Sequence, residues 1–324
     1  MSGAPQYSGL AIETRGLSKR FGQQLAVDNV DVLVPAGSVF GFLGPNGSGK
    51  TTTIRMLLGL ATASAGSITV LGQEMPARLQ DVLPQVGALV EGPGFYPFLS
   101  GSANLHRLDS ADRHAARSTR AARVKEALHR VGLSHAAHKK VRAYSLGMKQ
   151  RLGIANALLS PRELLILDEP SNGLDPQGTR EVRSLVRSLA AGGSTVFVSS
   201  HLLAEIDQIC THAAVLSQGR LVAQGTLEEL RGTGNRRILL LTPDGGAARR
   251  VLGRLGLHPD APAAGVETDG AGISAAMTAD APALDVIVAE LVRDGVRVQS
   301  FTEERSSLED RFVALTGEGF DSAR

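Results

Sequence analysis

Gly44, Gly47 and Gly49 stand just ahead of Lys50, Thr51 and Thr52 in the run GFLGPNGSGKTTT, residues 41–53. Gly44 and Gly49–Lys50–Thr51 satisfy the spacing G-x-x-x-x-G-K-[ST], and each residue type has a use toward a polyphosphate. The glycines allow positive φ and turn backbone N–H groups inward, with Pro45, Asn46 and Ser48 completing the loop. Lys50 is expected on the β- and γ-phosphates, the Thr51 hydroxyl on Mg²⁺, and Thr52 near the α-phosphate. A second group of reactive side chains ends the run ELLILDEP, residues 163–170, where Asp168 and Glu169 stand side by side. A core strand has no use for two adjacent carboxylates. At the carboxyl edge of a parallel sheet, however, they fit a metal-holding aspartate and a general base for an attacking water. His201 leaves the next apolar run, STVFVSSHLLAEI (194–206), at the corresponding place one strand over, so it is read with Glu169 as catalytic.

These side chains need particular elements behind them. VFGFL reads as a buried strand before the glycine loop and TTTIRMLLGL as a helix after it, whose N-terminus adds partial positive charge at the phosphates. Residues 11–21 and 26–34 alternate like antiparallel strands, and GSITVLG (66–72) is a further short strand. Phe21 closes the first of these ahead of a Phe21–Gly22 turn, and is either an adenine-stacking face or core. YSLGMKQRLGIANALL (144–159) opens a helix with Ser145 and Gly147 at its tip, a second potential anion site. SNGLDP (171–176) is a tight turn into the helix TREVRSLVRSLAA, and 213–230 reads as a hairpin turning at Gln218–Gly219 followed by a short helix. Phe95, Tyr96 and Phe98 crowd a Pro/Gly-rich loop within 91–105. They form a partner surface or fill a satellite core beneath helices over 103–131. The basic helical face over 111–130 is read as solvated rather than as a nucleic-acid patch.

The 324 residues suffice for two domains, and 43% hydrophobic with 20% charged residues is ordinary for a globular chain. A net charge of +2 gives no global field toward nucleic acid. The one cysteine, Cys210, excludes an internal disulfide framework and reads as a small core residue. No signal-like start and no apolar window near 18 residues is present, so the chain is expected to work beside a membrane through a separate partner rather than to span it.

The order of these motifs resembles the ATP-binding subunit of an ABC transporter, over residues 10–232. In that likeness Gly44–Thr52 is the Walker A match, Leu164–Asp168 the Walker B match, Ser171–Asp175 the D-loop and His201 the switch histidine. Phe21 falls where the family places its adenine-stacking aromatic. The signature is usually LSGGQ; here residues 144–148 read YSLGM, and Ser145, Leu146, Gly147 and Met148 would meet the nucleotide of a second copy. The family's usual loop glutamine is replaced by Glu91, which the resemblance puts on Mg²⁺ with Thr51 and Asp168. Glutamate there and the SLGMKQR form are similar to drug, bacitracin and lantibiotic export systems. The resemblance implies a RecA-like α/β P-loop core with antiparallel β and helical subdomains. It further implies ATP and Mg²⁺, a homodimer, an integral membrane permease met by Phe95, Tyr96 and Phe98, and a peripheral place on the inner face of the cell membrane. A soluble ABC ATPase acting on the ribosome or nucleic acid is the alternative; such chains carry tandem ATPase units or long coiled coils, which this sequence lacks.

The ATP-binding domain is expected over 1–232 and a separate unit over 233–324. RRILLLT, ARRVLGRLGL, GVETDG, ISAAMTA, ALDVIVAELVRDG and VRVQSFTEE read as β-α-β-β-α-β, a ferredoxin-like α+β arrangement. A loop is expected over 257–272, and a closing helix opens with a Ser306…Glu309 capping box.

Overall fold

The computed structural model describes residues 9–91, 94–112, 114–231, 236–260, 272–277 and 280–305. It divides into two compact units, the first ending at Leu227 and the second beginning at Glu228. The Ser306…Glu309 capping box and the segment GVETDG lie outside the described residues.

Alternation over the first described residues produces three antiparallel strands, β1 (Leu10–Phe21), β2 (Gln24–Val30) and β3 (Leu33–Pro35), with both β2 and β3 paired to β1. The chain then enters β4 (Val39–Leu43), buried at every position, and leaves it through the glycine loop into α1 (Lys50–Leu57). β5 (Ala65–Val70) returns to pair with β1, and β6 (Gln73–Met75) extends that antiparallel sheet. After the short α2 (Leu79–Val82), β7 (Val86–Leu89) joins the second sheet.

A helical section follows: α3 (Gly101–Ala111), α4 (Arg120–Arg130) and α5 (Leu146–Ala157). The basic face expected over 111–130 is therefore confined to α4, and it is not wholly solvated. Arg120 and Arg123 turn inward onto the buried Asp109, at 2.9 and 2.7 Å. Burial pushes the Asp109 carboxyl up, but hydrogen bonds from Arg123 and Arg120 outweigh it and hold the group below its usual range. Next come β8 (Leu164–Asp168), α6 (Pro176–Ala191), β9 (Thr195–Ser200), α7 (Leu203–Ile209), and the hairpin β10 (His212–Ser217) and β11 (Arg220–Thr226). Helix α6 starts three residues before the expected TREVRSLVRSLAA. Asp175 caps it by accepting from the Gly178 N–H at 2.7 Å, and Pro176 occupies the first position, where its missing N–H costs nothing.

The second sheet has the order β11-β10-β4-β9-β8-β7, parallel except for β11. Its inner strands read VFGFL, LLILD and TVFVSS because both faces are covered, which selects near-continuous apolar runs. Phe197 on β9 stacks on Phe40 at 5.7 Å between ring centroids and tilts against Phe42 at 5.1 Å. At Gly41 a Cβ would lie 2.6 Å from Ile206 Cγ2 and 3.1 Å from Cys210 Sγ, so α7 rests directly on β4. Cys210 is buried there, and burial pushes its thiol pKa up. The arrangement brings the carboxyl ends of β4, β9 and β8 to one edge, side by side, with Ser199 paired to Phe42 on one side and to Asp168 on the other.

The short helix α8 (Leu227–Arg231) carries the chain across the boundary, and the second unit continues with β12 (Arg236–Leu241), α9 (Gly245–Arg254), β13 (His258–Pro259), β14 (Gly272–Met277), α10 (Leu284–Arg293) and β15 (Ser300–Arg305). The sheet order β13-β14-β12-β15, antiparallel throughout, is the expected ferredoxin-like split βαβ arrangement. Its second strand sits at His258–Pro259, inside the stretch expected to be loop. Ile238, Leu240, Ile273 and Ala275 on the sheet pack against Ala248, Leu252, Ile287 and Leu291 on the helices.

Candidate active site

The glycine loop is built so that only glycine fits at its two ends. A Cβ on Gly44 would stand 2.5 Å from the Leu216 carbonyl and from Ser48 Oγ; one on Gly49, at φ 100°, would stand 2.6 Å from the Ala26 carbonyl. Asn46 and Gly47 are exposed at the tip, and Pro45 is half-buried. The Ser48 hydroxyl is buried without a hydrogen-bond partner. Lys50 is 5% exposed and folds back so that Nζ donates to the Gly44 carbonyl at 2.7 Å and the Pro45 carbonyl at 3.2 Å. Burial pushes the Lys50 ammonium below its ordinary pKa, and Glu169, whose Oε1 lies 3.4 Å away, offsets part of that. Thr52 is half-buried in the first turn of α1.

Thr51 Oγ1 donates to Asp168 Oδ2 at 3.0 Å, while Ser199 Oγ donates to Asp168 Oδ1 at 2.5 Å. Ser199 Oγ also accepts the Glu169 N–H at 2.9 Å. Glu169 adopts φ 47°, a left-handed conformation unusual for a side chain of this type, and it points its carboxylate at His201, with Oε2 2.7 Å from Nδ1. The sheet thus gathers Lys50, Thr51, Asp168, Glu169 and His201 within one chain of contacts. A buried ammonium, a hydroxyl–carboxylate pair and a carboxylate–imidazole pair suit a phosphoryl group that needs its charge neutralised and its attacking water deprotonated.

Ser199 is a contributor that the sequence reading did not name. The signal was present in TVFVSS, where two hydroxyls interrupt an apolar strand. Ser199→Ala leaves a 7%-exposed carboxylate one donor short and the part-buried Glu169 N–H without an acceptor. We expect it to destabilise the first unit by about 1.5–3 kcal/mol, the worth of a hydrogen bond to a charged group. That is a fall of roughly 3–12 °C in the thermal midpoint, which Ser199→Thr should largely restore.

The oxygen pair Thr51 Oγ1 and Asp168 Oδ2 offers Mg²⁺ the hard ligands it takes, and the cation characteristically completes its shell with phosphates and water. Accordingly, among the described residues no cluster of three or more His, Cys, Asp or Glu side chains forms an all-protein cage. Glu91, at φ 55°, is not drawn into this group; its carboxylate pairs with Arg55 on α1, an exposed contact. That hydrogen bond holds the Glu91 carboxyl below its usual range. Phe21 is 50% exposed, with Lys19 Nζ 4.9 Å from its ring centroid, so it is surface rather than core.

Ser145 and Leu146 are exposed, and Gly147 and Met148 half-buried, at the start of α5, where Ser145 Oγ accepts the Met148 N–H at 3.2 Å. Ser145, Leu146 and Gly147, with Gly173, Leu174 and Asp175, border a cavity of about 430 Å³ that includes no glycine-loop residue. Ser171, at the head of that turn, donates to Glu205 at 2.6 Å. Tyr96 and Phe98 are 49% and 70% exposed, beneath the guanidiniums of Arg107 and Arg142, and Phe95 is half-buried. The first two are therefore not a satellite core. No helix among the described residues is long and apolar enough to cross a membrane.

A glycine cradle closing on a buried lysine, whose neighbouring threonine hydroxyl bonds an aspartate two strands along the sheet, defines a P-loop nucleotide hydrolase. Comparison with known proteins narrows this. The family model described as ABC transporter matches residues 27–172. The chain is 39% identical to the bacitracin transport ATP-binding protein BcrA of Bacillus licheniformis, over 95% of this chain and 98% of that one. It is 37% identical to the daunorubicin resistance ATP-binding protein DrrA3 of Streptomyces coeruleorubidus, over 95% and 96%. A solved ATP-binding subunit of an ABC transporter superposes with a TM-score of 0.61 at 28% identity, covering 68% of this chain and 92% of that one. The chain belongs to the ABC transporter family as an ATP-binding subunit, and its enzymatic activity is ATP hydrolysis.

Proposed function

We propose that this subunit energises export of a drug, antibiotic or peptide through a separate membrane permease, working as a pair of copies with two ATP molecules between them. In this reading each nucleotide lies on the glycine loop of one copy, from Gly44 to Thr52, with adenine against Phe21. Ser145 and Gly147 of the other copy close over the γ-phosphate. Lys50 leaves the Gly44 and Pro45 carbonyls for the phosphates. Glu169, oriented by His201, takes the proton of the attacking water. Mg²⁺, held by Thr51 and Asp168, would neutralise phosphate charge, and Glu91 would have to leave Arg55 to join it. The exposed aromatics of 95–98 would meet the permease at the inner face of the membrane, and the turn Ser171–Asp175 would face the other copy.

The observation that carries the reading is the division of parts. One chain assembles Lys50, Thr51, Asp168, Glu169 and His201, while its serine-tipped helix stands exposed on a cavity without any glycine-loop residue. The export direction and cargo rest on the relatives, which match almost end to end. Inverted membrane vesicles carrying this subunit and its permease should accumulate bacitracin-like peptides or anthracyclines only with ATP. Vesicles that accumulate none, or a subunit that binds ribosomes rather than such membranes, would overturn the reading.

A further inference from the structure

Beneath the Glu169–His201 contact lies a second carboxylate that the reaction as described does not use. Glu205, in the first turn of α7, is 6% exposed, and no cation pairs with it among the described residues. Its Oε2 accepts two hydroxyls at once, Ser171 Oγ at 2.6 Å and Ser200 Oγ at 3.0 Å. A buried carboxylate is costly unless its oxygens are well supplied with donors, so both serines are held firmly.

The position of those serines gives the arrangement its meaning. Ser200 immediately precedes His201. Ser171 follows Glu169 by two residues and lies in the turn that bonds back to it, with the Asn172 N–H donating to the Glu169 carbonyl at 3.1 Å. Each catalytic side chain thus has a neighbour tied to the same oxygen. The tie matters because Glu169 holds a left-handed backbone conformation, which persists only where its surroundings over-determine it. The same turn continues into Gly173 and Leu174, which pack against Leu146 and Gly147 at the tip of α5.

We propose that Glu205 is a positioning residue for hydrolysis: its carboxylate clamps the Ser171 turn to the end of β9 and so fixes Glu169 against His201. Motion of the Ser171–Asp175 turn, wherever it originates, is thereby transmitted to the two catalytic side chains. The inference rests on the roles given above to Glu169 and His201.

The test uses the full chain and compares kcat, KM and calorimetric affinity for ATP with Mg²⁺, and thermal midpoint. Glu205→Ala should lower kcat by about ten- to a hundredfold, the scale on which a small misplacement of a reacting group acts. ATP affinity should be unchanged. Glu205→Gln keeps an acceptor oxygen and should recover most of the rate. Ser171→Ala should reduce kcat alone, yet add nothing in the Glu205→Ala background. The inference is overturned if Ser171→Ala and Ser200→Ala both turn over like wild type, or if ATP affinity falls in step with kcat. Should Glu205→Ala not fold, the serine variants decide. Glu169→Gln run in parallel separates the two layers: full turnover there would remove the active-site assignment itself. Loss there, with wild-type serine variants, would remove only Glu205.

Discussion

Glu169→Gln will bind ATP about as tightly as the parent but hydrolyse it some 10²–10⁴ times more slowly, the usual worth of a positioned general base. The amide matches the carboxylate in size and can keep a hydrogen bond to His201 Nδ1, now at 2.7 Å from Glu169 Oε2. The Ser199 hydroxyl that accepts the Glu169 N–H is untouched. What disappears is the basicity needed to take a proton from water. A negative charge beside the γ-phosphate disappears as well, so nucleotide-driven closure should become easier while its reversal through hydrolysis is blocked. With ATP and Mg²⁺ the variant should therefore elute as a stable dimer. In that background, one copy carrying Asn46→Cys and another carrying Ser145→Cys should form a mixed disulfide that neither forms alone. Native Cys210 is buried and should stay silent. A kcat near the parental value would remove Glu169 from the base role, and a monomer with ATP would remove the two-copy arrangement.

The reactive centre was legible because its parts are local in sequence. A glycine spacing, two carboxylates ending an apolar run and a histidine ending the next each identify an element and its exit, and parallel pairing brings such exits to one edge. Less legible were the groups whose partners come from elsewhere in the fold. Ser199 and Glu205 matter only because β9 lies between β4 and β8 and because α7 rests on Gly41, facts of topology that no spacing reveals. Arg55 is likewise unremarkable within its helix until the chain brings Glu91 to it. The basic face of 111–130 misled because charge periodicity cannot show that a buried Asp109 awaits two of its arginines. The second strand of the C-terminal unit escaped because two residues, His258–Pro259, carry no alternation to detect.

Lys50→Met should all but abolish ATP binding, and the reason lies in what Lys50 does before nucleotide arrives. Its ammonium is almost fully buried and satisfied by the Gly44 and Pro45 carbonyls, with Glu169 Oε1 at 3.4 Å. Burial already pushes its pKa down, so the site keeps this charge poorly solvated, ready to exchange two neutral carbonyls for phosphate oxygens. Methionine fills the space without the charge. It leaves the two carbonyls and Glu169 without their donor, so the free protein should itself lose about 1–3 kcal/mol. The decisive readout is therefore the increment that ligand adds rather than the absolute midpoint. At ATP one hundred times its dissociation constant the parent should gain about 2.7 kcal/mol, some 5–11 °C for a unit of this size. The variant should gain almost nothing under the same conditions. Lys50→Arg separates charge from shape, because its planar guanidinium cannot occupy the tight cradle left by Gly44 and Gly49, and it should fail nearly as badly. A midpoint that still climbs with ATP in Lys50→Met would mean that the glycine backbone and the α1 N-terminus suffice to hold the phosphates, and the lysine would have to be assigned to the transition state alone.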